Sequence, residues 1–136
     1  MKFTKLIIFA LLSLSQYSHS ETLSCVIENI NAISNSGIVV AQKGSDSPLI
    51  AQAGTKFIVD LKTGKITGKN IPYLEGGVPK IINTGVGSNA YSSLLYFGSL
   101  PEQRVAHFRL SLFDGSNNFV YIDQYFIVYG GKCSEI

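Results

Sequence analysis

Two cysteines near opposite ends of the chain constrain the fold more than any other feature. Cys25 and Cys133 are 108 positions apart, and the sequence contains no other cysteine. Cys25 lies near the start of the first candidate strand and Cys133 follows the last one, so a bond between them would tie the first strand to the last. A closed loop of ~100 residues adds at most about 4.7 kcal/mol through chain entropy. The alternative is two buried free thiols.

The first 20 residues have the features of a secretory signal peptide. Lys2 and Lys5 form a positively charged N-terminal region, and an apolar stretch follows over residues 6–14. Ser18 and Ser20 are small residues at the positions expected before the cleavage site. A bilayer-spanning helix needs ~20 apolar residues, far more than this stretch provides.

We therefore expect residues 1–20 to be cleaved and residues 21–136 to form a single β domain that is periplasmic or secreted, without stable membrane insertion. An exported chain of this size with two cysteines is expected to form one disulfide, because these compartments are oxidising. A lipoprotein acylated at Cys25 is the alternative, and it would leave Cys133 unpaired.

The charge balance changes when the signal segment is removed. The chain has 11 Lys and Arg against 9 Asp and Glu, and both lysines of the signal segment leave with it. The mature chain is then electrically balanced. Since phosphate-backbone binding depends on an excess of basic residues, nucleic acid is disfavoured as a partner.

Apolar and polar residues alternate with period two along much of the chain, which predicts strands. The longest alternating run is Phe119–Tyr129, and Gly130 and Gly131 are expected to end it. The full set of predicted strands covers residues 23–30, 38–41, 49–53, 57–61, 65–67, 80–84, 90–97, 104–113 and 119–129. The spacing over Tyr91–Leu95 also fits one helical turn.

Turn-forming residues separate these runs. A cluster of turn-forming residues occupies positions 44–48. A turn with glycine at 62–64 joins the two strands of a hairpin, in which the Asp60 side chain can hydrogen-bond the turn backbone. Residues 68–79 are predicted to form an exposed loop. Short strands with frequent turns and little helical signal predict an all-β fold. We expect a single antiparallel β-sandwich or a small β-barrel, closed by one disulfide between the first and last strands.

Catalytic groups are scarce in the mature sequence. His107 is its only histidine and falls on the more polar face of its predicted strand, four residues from Ser111, too far for a direct dyad. Acid pairs can be drawn among Glu102, Asp114 and Asp123, but any two carboxylates can be paired in this way. We expect no catalytic residue.

Metal and cofactor motifs are equally weak. No spacing fits zinc or calcium ligands, so no metal site is expected. Residues 85–90 match the glycine fingerprint of dinucleotide-binding proteins by letter. That fingerprint has meaning only between a strand and a helix, so we interpret it as a turn and expect no cofactor.

Five lysines within 25 residues form the first candidate interaction surface. The same segment carries two acidic residues, and such a surface would suit an acidic partner or an anionic envelope polymer. The more ordinary explanation is a solvated hairpin whose lysines protect strand edges. The lysines are Lys56, Lys62, Lys65, Lys69 and Lys80.

Three tyrosines on one predicted face of the last strand form the second candidate. Tyr121, Tyr125 and Tyr129 share this face with Asp123 if the strand is continuous. Tyrosine is enriched at protein interfaces because it joins an apolar ring to a polar tip. The more ordinary explanation is a half-buried sheet face or a barrel interior.

These features favour a non-catalytic exported binding protein of the bacterial cell envelope. An inhibitor or immunity-type protein that acts on another protein is one form of this function. The expected partner is another protein or an envelope component, and the chain is expected to be a monomer. The alternatives are a structural or surface-assembly subunit and, less favoured, a small hydrolase that uses His107 or an acid pair.

Overall fold

A computed structural model of the protein describes residues 21–42, 50–71 and 76–136. The predicted signal segment, the turn-forming cluster at 44–48 and part of the loop at 68–79 lie wholly or partly outside these ranges. The described residues form strands and one short 3₁₀ helix: β1 Thr22–Ile33, β2 Val39–Ala41, β3 Lys56–Asp60, β4 Ile66–Thr67, β5 Val78–Thr84, β6 Ala90–Phe97, β7 Arg104–Ser111, the helix Phe113–Gly115, β8 Asn118–Ile122 and β9 Ile127–Glu135.

All of these strands belong to one antiparallel sheet in the order β4-β3-β1-β9-β8-β7-β6-β5, with β2 paired to β1 beside β3. The sheet curls into a half-barrel, which confirms the all-β antiparallel prediction. The sheet has two parts. Strands β5 to β9 follow one another as hairpins and form the first part, and strands β1 to β4 form the second. The β1–β9 ladder is the one strand pairing between these two parts within the described ranges. The barrel seam lies between β4 and β5.

The disulfide between Cys25 and Cys133 is present and joins the first strand to the last, as predicted. The two residues are direct partners in the β1–β9 ladder, and their Cα atoms are 3.9 Å apart. Both side chains are buried. The covalent link therefore reinforces the ladder that holds the two parts of the sheet together, and it indicates an oxidising compartment.

The prediction of one continuous strand over residues 119–129 is wrong. The chain reverses after Ile122, and the segment forms the hairpin of β8 and β9. Asp123 begins the turn, where its backbone N–H donates to Ile127 and its carbonyl accepts from Phe126. Phe126 has a φ of 63°, a left-handed conformation that the alternating pattern does not reveal.

The expectation that Gly130 and Gly131 end the last strand is also wrong, because β9 continues through both to Glu135. Gly131 lies opposite Ile27 where the β1–β9 register shifts by one residue. A Cβ atom on Gly131 would collide with the carbonyl oxygen of Val26. The glycine is required there by the close approach of two backbones.

Other boundaries differ less. Strand β6 spans 90–97 as predicted, so the alternative of a helical turn there is wrong. Residues 50–53 are not a strand, and β1 is longer than predicted. Within the described ranges, no helix is long and apolar enough to cross a membrane.

The core fills the concave side of the sheet and is rich in aromatic rings. Phe119 lies at its centre, with its ring centroid 5.0 Å from that of Phe57 and 5.9 Å from that of Phe108. Ala51 and Ile71, which lie outside the strands, also contribute buried side chains. Because inward residues come from both parts of the sheet, the core packs these two parts against each other.

Candidate functional site

A groove of about 740 Å³ opens along β4, where the seam of the half-barrel is not closed by strand pairing. Ile58, which is 42% exposed, provides apolar surface in the groove, and Gly68, Gly76 and Gly77 expose backbone along it. The core residues Phe57, Ile66 and Leu95 also line the groove but are almost fully buried. Most of its lining is therefore apolar or main chain. A groove with this lining suits a ligand that presents both apolar groups and backbone hydrogen-bonding groups.

Three lysines line the same groove. Lys56 enters from β3, and Lys65 and Lys69 flank β4 on either side. None of the described lining residues is acidic. Among the described residues, the groove therefore combines apolar surface with positive charge, which favours an anionic ligand.

The other two lysines of the predicted surface lie outside this groove. The Lys62 ammonium is 4.0 Å from the Glu21 carboxylate in an exposed ion pair. Lys80 is an exposed residue of β5. The structure thus brings together three of the five lysines, and the remaining two provide matched controls for the charge of the groove.

The turn between β3 and β4 packs across the seam against β5. Gly64 adopts a φ of 74°, and a Cβ atom there would lie 3.2 Å from Pro79 and 3.3 Å from Ile81, both of β5. Asp60 holds this turn, because its carboxylate accepts the backbone N–H groups of Lys62 and Thr63 at 2.9 Å each. These bonds, led by the one from Thr63, lower the pKa of Asp60. The predicted role of Asp60 in the turn is confirmed.

The tyrosine surface predicted from the alternating pattern does not form. Tyr121 and Tyr129 are 2% and 1% exposed, so neither can contact a partner. Their rings stack in the core with centroids 5.9 Å apart, which matches the barrel-interior alternative. Tyr125 is separated from both because it lies in the β8–β9 turn, where it is 46% exposed and its hydroxyl accepts a hydrogen bond from Arg104 at 2.8 Å.

Asp123 is a buried structural acid. Its Oδ1 accepts the backbone N–H groups of Tyr125 and Ile127 at 2.8 and 2.9 Å, and its Oδ2 accepts the Tyr129 hydroxyl at 3.4 Å. Burial raises the pKa of Asp123, although these hydrogen bonds act in the opposite direction. Both carboxylate oxygens thus accept hydrogen bonds from the turn or from a core tyrosine, and these structural contacts account for the buried position of Asp123.

His107 lies on the outer face of β7 and is half-buried, as the alternation predicted. Its direct partners on the neighbouring strands are Leu94 and Ile122, neither of which can act as a nucleophile or an orienting acid. Burial, with a smaller effect of the Arg109 charge, lowers the pKa of His107.

The remaining motifs have structural explanations. Residues 85–89 form the turn of the β5–β6 hairpin, so the dinucleotide fingerprint does not lie between a strand and a helix. No cluster of three or more metal-binding side chains occurs in the parts of the chain that the structure describes.

The sequence did not reveal an exposed apolar end of the molecule. Phe126 is 64% exposed at the tip of the β8–β9 turn, and its carbonyl accepts the backbone N–H of Ile33 at the end of β1. Ile38 and Val39, which follow the β1–β2 turn, are both 62% exposed. The alternating pattern assigned Phe126 to a strand interior and so concealed this tip.

Comparisons with protein-family models, with curated protein sequences and with solved structures found no match.

Proposed function

We propose that this protein is a non-catalytic binding protein of the cell envelope that holds an acidic, extended segment of another protein in the groove beside β4. The observation that carries the proposal is the set of three lysines around an apolar groove without a described acidic neighbour. An inhibitor or immunity-type role follows if the bound segment belongs to an enzyme. The disulfide supports an exported location, because it requires an oxidising compartment.

The hydrogen-bonding pattern of β4 supports an extended ligand. The Asp60 N–H donates to the Lys65 carbonyl at 2.9 Å, so Lys65 and Thr67 face β3 in the alternating antiparallel pattern. The N–H and C=O of Ile66, which lies between them, point away from β3 toward the groove. A partner strand can pair with such an edge through its main chain while its side chains confer specificity.

The lysines would provide that specificity. Lys65 and Lys69 lie on either side of the Ile66–Thr67 edge, and Lys56 lies on the adjacent strand. A strand that pairs with β4 would place alternate side chains on the same face, within reach of these ammonium groups. Alternating acidic and apolar residues would match the charges and the apolar surface respectively.

A charge-reversal experiment tests this proposal. The triple variant Lys56→Glu, Lys65→Glu, Lys69→Glu reverses the charge of the groove, while the control Lys62→Glu, Lys80→Glu changes lysines outside it. The probe is a fluorescent peptide of about ten residues with alternating Glu and Val, read by anisotropy at low and high salt. Exposed ion pairs contribute about 0.2–1 kcal/mol each, so the loss of three pairs is expected to weaken the affinity of the triple variant by about threefold to a hundredfold, and that of the control much less.

Capture from an envelope extract extends the test to the natural partner. The wild-type protein and the Lys62→Glu, Lys80→Glu control are expected to retain the same partner, cross-linked through an acidic segment to residues of the groove. The proposal is wrong if the triple variant captures this partner as well as the wild type does, or if a Lys–Val peptide binds as tightly as the Glu–Val peptide.

A further inference from the structure

One end of the half-barrel exposes large apolar side chains on several separate turns. Ile33, the last residue of β1, donates its N–H to the carbonyl of Phe126, so the β1–β2 and β8–β9 turns lie side by side. The β6–β7 turn joins them, because Arg104 at the start of β7 hydrogen-bonds Tyr125 of the β8–β9 turn. The start of β5 lies at the same end, opposite the last residues of β6. We call the exposed residues of this end the apolar rim; they are between 46% and 81% exposed and comprise Ile38, Val39, Val78, Leu100, Tyr125 and Phe126.

The form of the apolar rim suits a lipid surface. Its side chains come from four separate segments of the chain, and a fluid bilayer accepts such protruding groups where a rigid partner would need a recess for each. Tyr125 joins an apolar ring to a polar tip, as tyrosines at the membrane–water boundary do. The opposite end exposes Val86 and Phe113 but also the carboxylates of Glu21 and Glu135, which anionic lipids would repel.

A polar pocket of about 360 Å³ opens at the same end as the apolar rim. The Arg104 guanidinium in its wall lies 5.4 Å from the centre of the Tyr125 ring and donates to the Tyr125 hydroxyl at 2.8 Å. These contacts orient the guanidinium and leave further N–H groups for a ligand. Glu102 lines the same pocket, and no ion pair joins it to Arg104 in the described part of the chain. The pocket therefore presents a cation and an anion that do not pair with each other.

We propose that the apolar rim docks this protein on a phospholipid bilayer and that the pocket holds the headgroup of phosphatidylethanolamine. Arg104 donates to the phosphate, and Glu102 accepts from the primary ammonium group. The two residues are two positions apart, about 7 Å along an extended chain, a span that one phosphoethanolamine group can bridge with a hydrogen bond at each end.

Charge complementarity selects this headgroup among the common ones. Phosphatidylglycerol has no cation for Glu102, and the trimethylammonium group of phosphatidylcholine has no N–H to donate. A primary ammonium beside a phosphate satisfies both charged residues of the pocket. Docking is peripheral, because only turn residues and strand ends enter the bilayer. The inference does not depend on the ligand of the lysine groove.

Vesicle sedimentation tests the headgroup. Vesicles of phosphatidylethanolamine with a minor share of phosphatidylglycerol are compared with vesicles in which phosphatidylcholine replaces the phosphatidylethanolamine. The wild type is expected to bind the former about twofold to fivefold more tightly, the range of one exposed ion pair. Glu102→Gln is expected to bind both vesicles equally, and Arg104→Gln to bind both more weakly than the wild type. Equal binding of the wild type to the two vesicles, or a preference that persists in Glu102→Gln, would overturn the proposal.

A matched pair of double variants tests the apolar rim. Leu100→Ser, Phe126→Asn removes two of its side chains, and asparagine suits the left-handed backbone of residue 126. The control Val86→Ser, Phe113→Ser removes two exposed apolar side chains from the opposite end. The rim variant is expected to lose about tenfold or more in affinity for the phosphatidylethanolamine vesicles, because two large side chains no longer leave water, and the control to bind as the wild type does.

Tryptophan fluorescence reports the orientation directly, because the chain contains no tryptophan. The emission of Phe126→Trp is expected to shift to the blue when phosphatidylethanolamine vesicles are added, and that of Phe113→Trp to stay unchanged. Urea unfolding shows that each variant is folded. Equal affinity losses in the two double variants, equal emission shifts, or a folded wild type that does not sediment with the vesicles would contradict docking through the rim.

Discussion

At the scale of single residues, Asp123 combines a structural role with a titration that stability measurements can detect. Its carboxylate accepts two backbone N–H groups of the β8–β9 turn while burial raises its pKa. The folded state therefore binds this proton more tightly than the unfolded chain does. The contribution of Asp123 to stability is expected to fall as pH rises from its ordinary pKa near 3.8 through the raised value.

Asp123→Asn is expected to remove this pH dependence and to keep an oxygen that accepts the turn N–H groups. The free energy of unfolding, measured by urea titration at several pH values, provides the test. The difference between wild type and Asp123→Asn should decline across that pH interval, and a constant difference would contradict the prediction. Asp123→Ala leaves the two N–H groups without their acceptor and is expected to cost about 1–3 kcal/mol throughout.

The stacked pair of Tyr121 and Tyr129 gives a matched test of buried hydroxyl groups. The Tyr129 hydroxyl donates to Asp123, whereas the Tyr121 hydroxyl is buried without a hydrogen-bond partner among the described residues. Tyr129→Phe is expected to destabilise the protein by about 1 kcal/mol, and Tyr121→Phe is expected to be neutral or slightly stabilising. Thermal or urea unfolding of the two variants measures the contrast, and equal losses would show that the hydroxyls are equivalent.

At the scale of strands, the bulge between β1 and β9 depends on the absence of one side chain. A Cβ atom on Gly131 would meet the Val26 carbonyl, whereas one on Gly130 would have nothing closer than the Phe119 carbonyl at 3.8 Å. Gly131→Ala is therefore expected to cost about 3 kcal/mol, because the backbone must shift, and Gly130→Ala much less. Urea unfolding of both variants tests this, and similar losses would contradict it.

Period-two alternation located most strands because each has one face in the core and one in solvent. It failed at residues 119–129, where the β8–β9 turn is specified by hydrogen bonds to Asp123 and not by glycine or proline. The tight turn also preserves the alternation, so Tyr121 and Tyr129 face the same core from two strands. A long strand and a tight hairpin consequently share one pattern.

The lysine-rich segment was predictable from the sequence, but the groove was not. Clustered lysines identified a candidate surface from Lys56 to Lys80, since charge is visible in sequence, and three of its five lysines line the groove. Which lysines share one groove depends on the curl of the sheet and on the packing of Gly64 against β5, and both are long-range properties.

At the scale of the whole molecule, β1 and β9 form the joint between two parts of the sheet. The β5–β9 meander contains local hairpins only, and the strands β1 to β4 contain the groove edge. The disulfide lies within this joint, at the Cys25–Cys133 pair of the ladder. The groove walls come from both parts, so the geometry of the binding site depends on this joint.

Removing the disulfide should therefore weaken the entire fold and loosen the groove. The double variant Cys25→Ala, Cys133→Ala is expected to lose about 2–5 kcal/mol of unfolding free energy, because the unfolded chain gains the entropy of an open loop of 108 positions. Urea unfolding of the variant, of the oxidised wild type and of the reduced wild type measures this loss. The variant and the reduced protein should agree closely, while the oxidised protein should unfold at higher urea. Equal midpoints for all three would show that the ladder and the aromatic core hold the two parts together without the sulfur bond.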